Sequence, residues 1–216
     1  LNQGTGGGID LVAATMNMTG GEIKNNHAKR SGGGVTIALS GARDSVFNMS
    51  GGTISGNTLT DPAGKGAGVE FFTESTTHSG TTYYTRMKMS GSAKVDTNND
   101  VYLNNSRMIT VDGTLTPAGG IAARLTPETY SAGLRVLEAG TGVNLASEAG
   151  KFAVTPKSGT PPEYWGINNT GNLTQDKTSI FNAISNDQIK AAESSMNSTP
   201  ITDRKTALEG KLILYK

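Results

Sequence analysis

Two stretches of this chain carry side chains suited to binding. Phe71-Phe72 and Tyr83-Tyr84 flank Thr73-Glu74-Ser75-Thr76-Thr77-His78-Ser79-Gly80, which reads as a protruding hairpin turning at Ser79-Gly80. Exposed rings bury contact area at low entropy cost. Phe72, Tyr83 and Tyr84, with His78 near the tip, are therefore candidate contacts for a sugar or a protein. A structural reading stands beside this one, with Phe71 and one tyrosine facing the core and the others bracing the hairpin. The second stretch, Asp96-Thr97-Asn98-Asn99-Asp100, offers alternating oxygens, and Asp112 stands one coil further on. Calcium takes about six to eight oxygen ligands, of which Asp96, Asn98, Asp100 and Asp112 could supply roughly three or four. The stretch lacks the bidentate Glu of an EF-hand and the Gly-Gly-x-Gly-x-Asp nonapeptide of calcium-binding β-rolls. Asn and Asp also shape tight turns, and no cofactor other than calcium is indicated. His27 and His78 are the only histidines, and neither has a neighbouring Ser, Cys or Asp pattern that suggests a triad. The glycine runs are not phosphate loops, because neither Gly-Lys-Ser/Thr nor a helix follows them. Asn-x-Ser/Thr sequons at Asn17, Asn48, Asn104, Asn168, Asn172 and Asn197 are what chance gives in a chain so rich in Asn and Thr.

These residues hang on a degenerate repeat. Met16-Asn17-Met18-Thr19-Gly20-Gly21-Glu22-Ile23-Lys24-Asn25-Asn26 returns as Phe47-Asn48-Met49-Ser50-Gly51-Gly52-Thr53-Ile54-Ser55-Gly56-Asn57. Met87-Lys88-Met89-Ser90-Gly91-Ser92-Ala93-Lys94-Val95 is a looser copy. One inserted residue there puts Val95 in the isoleucine slot and Asn98 in the slot of Asn26 and Asn57. Glycine-rich turns at 6–8, 32–34 and 66–68 launch alternating strands, and Asn99-Asp100-Val101-Tyr102-Leu103 is a shortened fourth version. The order is strand, Gly-Gly turn, short strand, Asn turn, glycine run, strand. Period two places Met16, Met18, Ile23, Val35, Ile37 and Leu39 on one inward face. Short strands cannot bury such faces singly, so the repeats must stack. The predicted fold is all-β, a parallel β-helix (solenoid) with one coil per repeat. Asn26, Asn57 and Asn98 would then stack as an amide ladder.

Composition narrows the function. Twenty-nine glycines without a three-residue period, in a chain of 216 residues, fit a turn-rich β protein and not collagen. A net charge of +1, with no basic stretch longer than Lys29-Arg30, leaves nucleic-acid binding without an electrostatic footing. Cysteine is absent, so an oxidising compartment is permitted but no disulfide framework exists, and stacking must supply the stability. No apolar run approaches a membrane span. The glycine run at 6–8 opens in mid-coil, which suggests an excised or mature segment with its targeting sequence upstream.

Along the chain, 1–115 reads as coils, with Ile109 to Leu115 as the last rung. Residues 116–175 read as an irregular β cap, and 176–216 as a short, partly helical tail or linker. In the tail, Ser185 to Glu193 forms a capped helix, Thr202 caps a further turn, and Lys211 to Tyr215 ends strand-like.

Met-x-Met-x-Gly-Gly-x-Ile-x-x-Asn followed by Gly-Gly-Gly-Val resembles the repeat of bacterial surface right-handed β-helix proteins of the pectin-lyase-like superfamily. It is also similar in style to polymorphic outer-membrane proteins and autotransporter passengers. Ile121-Ala122-Ala123-Arg124-Leu125-Thr126-Pro127, Phe152-Ala153-Val154-Thr155 and Trp165-Gly166-Ile167 resemble the end of such an array, so the likeness covers roughly 1–175. It implies a right-handed helix at the cell surface or outside the cell, acting as an adhesin-like module or structural spacer that contacts a glycan or a host protein without catalysis. The superfamily's polysaccharide lyases and hydrolases supply the alternative. Their carboxylate clusters have no counterpart by motif here: Asp10, Glu22 and Glu70 lie on different elements, and Arg124 and Lys94 stand as isolated bases. An uncovered first strand would invite end-to-end self-association unless residues 1–5 or the tail shield it.

Overall fold

Alternation of apolar and polar residues becomes strand among the described residues, and small residues mark many of the corners. The structure is a computed structural model and describes residues 6–72, 75–104, 107–160 and 162–175. All of these except Gln175 belong to the unit Leu1–Thr174. The expected tail helix, the Thr202 cap and the strand at 211–215 lie outside the described residues.

The first repeat supplies β1 (Ile9–Val12), β2 (Thr15–Lys24) and β3 (His27–Ala28). The second supplies β4 (Val35–Ala38), β5 (Ser45–Ser55) and β6 (Thr58–Leu59). The third gives β7 (Val69–Phe71), β8 (Ser75–His78), β9 (Thr81–Gly91) and β10 (Lys94–Val95). β11 (Asp100–Leu103) and β12 (Ile109–Leu115) follow, then β13 (Ala123–Pro127), β14 (Leu137–Ala139), the helical turn α1 (Leu145–Glu148) and β15 (Phe152–Val154). β16 (Trp165–Ile167) and β17 (Leu173–Gln175) pair with each other.

Besides that pair, the described strands form three sheets. β1, β4, β7, β11, β13 and β15 lie side by side, in that order, as one parallel sheet. β2, β5, β9, β12 and β14 stack in parallel as a second, with β10 also parallel on β5. β3 and β6 form a short parallel pair. The protein is therefore mostly β with parallel sheets, as its alternating sequence leads one to expect.

Register turns the repeat into columns of like side chains. Ile23 opposes Ile54, which opposes Val95. Phe47, Met87, Ile109 and Leu137 follow one another across the second sheet, and Ile37, Phe71 and the Val35–Val69–Val101–Leu125 column do so across the first. All belong to one buried apolar cluster, each burial contributing roughly 1.5–3 kcal/mol before chain ordering is subtracted. Met18 joins this core, while Met16 and Leu39 are only half-buried.

The amide ladder exists, one residue away from its expected third rung. Asn57 Oδ1 accepts from the backbone N–H and the side-chain amide of Asn26, both at 3.0 Å. Asn99 Oδ1 accepts in the same way from Asn57, at 3.0 and 2.9 Å. Asn57 Nδ2 also donates to the Ile23 carbonyl at 2.9 Å. Asn98 is exposed. A second extra residue, after Val95, sits in a tight turn closed by Asn99 N–H to the Asp96 carbonyl at 2.7 Å, so the ladder position falls four residues after Val95, where Ile54 is followed by Asn57 at three.

Two other expectations shift. The Gly-Gly pairs do not split two strands: β2 and β5 run through them with irregular register, and Gly21 and Gly52 take φ values of 80° and 86°, a bend open to glycine without strain. Leu115 does not close the array either. β14 pairs in parallel on β12, and β15 on β13, so parallel stacking reaches Val154 and the 115/116 boundary separates no element from its neighbour. Pairing of β14 covers only Ile109 to Val111. At the uncovered end of β12, the buried Glu148 accepts the Leu115 N–H at 2.8 Å and Lys151 donates to the Leu115 carbonyl at 2.7 Å. Two side chains thus do for this residue what a further strand does elsewhere.

Asn57→Ala leaves the Asn26 donors and the Ile23 carbonyl without their partner in a buried site, a loss of about 2–4 kcal/mol. Asn48 makes an amide contact to Asn17 on an exposed part of the second sheet, so Asn48→Ala should change stability by no more than about 0.5 kcal/mol. Urea denaturation followed by circular dichroism compares the two, and equal midpoints would show that the ladder does not stabilise the stack.

Candidate functional site

The sequence-predicted contacts are not brought together. β8 and β9 do form the hairpin, Ser75 opposite Tyr84 and His78 opposite Thr81. Ser79 and Gly80 turn it with φ of 49° and 80°, the two left-handed residues of a tight hairpin turn. His78 is exposed near the tip, and Tyr83 is partly covered. Tyr84 is a brace. The Arg86 and Arg107 guanidinium carbons stand 5.1 and 5.3 Å from its ring centre, within cation–π range. Asp44 accepts the Tyr84 N–H at 2.7 Å and pairs with Arg86. Phe71 is fully buried, whereas Phe72 is 50% exposed and lines a cavity that includes neither tyrosine nor His78.

The oxygen set is dispersed as well. Asp96 Oδ1 accepts the Thr97 N–H at 2.7 Å, and Asp100 Oδ1 accepts the Ala67 N–H at 2.8 Å. Asn98 points its residue to solvent, and Asp112 is on the second sheet, 3.5 Å from Lys88 Nζ. Among the described residues, no three His, Asp or Glu side chains gather as a metal site would require. His27 is exposed on β3, 2.5 Å from the Thr58 hydroxyl.

What the fold does assemble is the outer face of the six-stranded sheet. One outward row runs Asp10, Thr36, Glu70, Tyr102, Thr126, continued by a 2.7 Å contact between the Thr126 and Thr155 hydroxyls. In the first two repeats the chain between the ladder asparagine and the glycine turn forms an arm. The arms stack: Asp61 N–H donates to the Lys29 carbonyl at 2.9 Å and Lys65 N–H to the Arg30 carbonyl at 2.8 Å. They cover their part of the row, so Thr36 and Glu70 are buried. The third repeat passes from Asn99 straight into β11 and has no arm. The outer face opens there.

Two cavities occupy the opening. One, of about 420 Å³, is lined by Arg30, Ser31, Asp61, Ala63, Lys65, Glu70, Phe72 and Asn104. The other, of about 600 Å³, is lined chiefly by Thr126, Glu128, Thr129, Tyr130, Thr155 and Lys157. Lys65 and Glu128, one from each lining, approach to 3.4 Å. Lys65 Nζ also stands 4.6 Å from the Tyr102 ring centre, and the Tyr102 hydroxyl, then Glu128, holds its ammonium above the usual lysine range. Arg30 Nε pairs with Asp61 at 3.0 Å, and the Ala63 N–H followed by Arg30 keeps the Asp61 carboxyl below its ordinary value. Tyr130 donates to the Thr155 carbonyl at 2.8 Å and packs on Trp165 at 5.9 Å. Burial, with Asp100 and Tyr102 adding to it, pushes its phenol up to about 12.

Glu70 is the odd group. It is 5% exposed, and its Oε2 has no hydrogen-bond partner among the described residues. Burial raises its pKa, opposed by the Ser31 hydroxyl and by the Lys65 charge. Sequence reading had Glu70 only as a scattered carboxylate and missed Arg30, Asp61, Lys65, Tyr102, Glu128 and Tyr130. The usable signal was the missing arm, because Asn99 runs directly into Asp100.

No known family model, curated protein or solved structure matches the chain. Among the described residues, no helix is long and apolar enough to cross a membrane.

A carboxyl whose folded pKa is raised stabilises the fold fully below its unfolded value, and that contribution is lost as pH rises through the folded value. Glu70→Gln keeps a neutral side chain at every pH. It should therefore melt about 2–4 °C above the parent at pH 8, if relief of the buried charge is worth about 1 kcal/mol, and level with it near pH 4. Thermal melts at both pH values check this, and a difference that does not change with pH would contradict it.

Proposed function

We propose that the parallel sheets, with β3 and β6 as a third face, close into a right-handed parallel β-helix displayed at a bacterial cell surface. Its role is that of an adhesin-like module whose outer face holds a glycan without catalysis. Support for the architecture is the strand order: neighbours within one sheet are separated in sequence by a visit to another sheet. Such parallel crossovers are right-handed in nearly all proteins. The repeat's likeness to bacterial surface β-helices supports an extracellular location.

The observation that carries the binding reading is the opening left by the absent third arm. Adjoining cavities there combine an exposed aromatic ring, hydroxyls, an amide and paired charges. Sugars present apolar ring faces and a rim of hydroxyls, and concave sites with a few convergent polar groups suit them. A protein partner would more naturally use the β8–β9 hairpin. β1 and β2 each have a strand neighbour on one side only among the described residues, and those edges offer a route to end-to-end association.

One observation favours the enzyme alternative, a polysaccharide lyase or hydrolase. Glu70 is a buried carboxyl with a raised pKa beside a lysine, the profile of a general acid. The carboxylates at the opening weigh against it, since Asp61 is tied to Arg30, Glu128 to Lys65 and Asp100 to a backbone amide, while Asp10, two strands from Glu70 in the row, lines neither cavity. A glycosidase needs a second carboxylate free to act.

Glycan-array retention tests the binding reading. Wild-type chain should be retained saturably with or without chelator. Thr129→Arg, which fills the larger cavity from an exposed position, should weaken retention roughly tenfold or more, while Tyr83→Ala leaves it unchanged. The opposite pattern would move the site to the hairpin, and no retention by the wild type would leave the spacer reading.

A further inference from the structure

The smaller cavity has a more specific chemistry than its neighbour. Its lining holds two cations and two carboxyls. Arg30 is committed to Asp61 at 3.0 Å, and Lys65 to Glu128 at 3.4 Å across the rim. The fourth charged group, Glu70, is 5% exposed and unpartnered at Oε2. A buried oxygen that accepts nothing is destabilising by itself, and Glu70 is one of the residues that line the cavity. Phe72 adds a half-exposed ring at the same cavity. Ser31 and Asn104 add a hydroxyl and an amide.

From this arrangement we infer that the cavity bounded by Arg30, Glu70 and Phe72 is a subsite for one uncharged pyranose ring, its apolar face on Phe72 and one hydroxyl donating to the Glu70 carboxyl. The inference rests on reading the outer face as a glycan site and adds to it the position and charge class of one unit. The paired cations set that class. A uronic acid would have to draw Arg30 from Asp61 or Lys65 from Glu128 to gain a counter-charge. An amino sugar's ammonium would need Glu70 ionised, which its burial disfavours, and would stand beside Lys65. An uncharged ring breaks neither pair, and burying a charge without a partner is the more expensive choice.

Saturation-transfer difference NMR on the full 216-residue chain tests the subsite, with the methyl glycosides of glucose, galactose, mannose and N-acetylglucosamine as probes and galacturonic acid and glucosamine as charged counterparts. At least one neutral probe should bind, roughly tenfold or more tighter than its charged counterpart. Phe72→Ala, at an exposed position that leaves the core intact, should weaken that probe about tenfold. Glu70→Ala should weaken it by a similar factor, as loss of one hydrogen bond to a buried carboxyl does. Thr129→Arg should leave it unchanged, because Thr129 lines the other cavity. Tighter binding of either charged sugar overturns the inference. Neutral binding indifferent to Phe72→Ala overturns it too, as does array retention by the wild type with no response to any monosaccharide. In those three cases the broader glycan reading stands. Failure of the array and of every probe removes both.

Discussion

Everything in this molecule depends on one constraint, that each repeat lie on the previous one at the spacing of paired parallel strands, about 4.8 Å. Backbone hydrogen bonds alone do not fix which residue lies over which, and a slip of one residue would turn the apolar set outward. The amide ladder removes that freedom. Asn57 is 2% exposed and Asn99 1%, and each satisfies its neighbour's backbone and side chain together. A slipped register would bury those amides unpaired. The glycine turns enforce the same spacing by exclusion, since a Cβ at Gly33 would stand 2.5 Å from the Ala67 carbonyl oxygen. Specificity of register is therefore concentrated in two narrow corners of each repeat, and the strands between them need only be apolar on one side.

That division of labour explains how the surface can vary. The arms between the ladder and the glycine turn, with β3 and β6 at their bases, stack on each other and leave the register of the two large sheets untouched. Two repeats carry them and the third does not, so the arms' own stacking ends at Lys65. Its side chain then reaches over Tyr102 to Glu128, crossing the gap where the next arm would lie. The Asp100 carboxylate meanwhile accepts the Ala67 N–H and ends the row of glycine-turn amides. The groove is a consequence of where the decoration stops, on a core that continues unchanged beneath it to Val154.

The core was legible in the sequence because its cause is local. Met18, Met49 and Met89, or Ile23, Ile54 and Val95, occupy like slots in a repeat, and period two says which way they face. The ladder was legible to within one residue, and the miss at Asn98 came from a turn whose length only hydrogen bonding decides. The site was not legible, for a different reason. Arg30 and Asp61 come from successive arms, Glu70 from β7 and Glu128 from beyond β13, so their proximity is a product of stacking and has no footprint in spacing along the chain. The aromatic pairs misled in the same way. Phe71 and Phe72 are adjacent in sequence, but strand geometry sends one inward and the other to the opening, while Tyr84 is claimed by two arginines.

Glu70 shows how such a fold trades stability against function. In the outward row its register neighbours, Thr36 and Tyr102, are groups that burial tolerates; a carboxyl in the same row loses solvation and gains only partial compensation from Ser31 and Lys65. A threonine at 70 would continue the column from Thr36 without that penalty. Stacking could absorb it, because the register is held elsewhere, by the ladder and the glycine corners. A parallel stack of this kind can therefore carry a desolvated carboxyl on its outer face at little risk to the fold, and the residue that fits its column worst is the first to ask about a ligand.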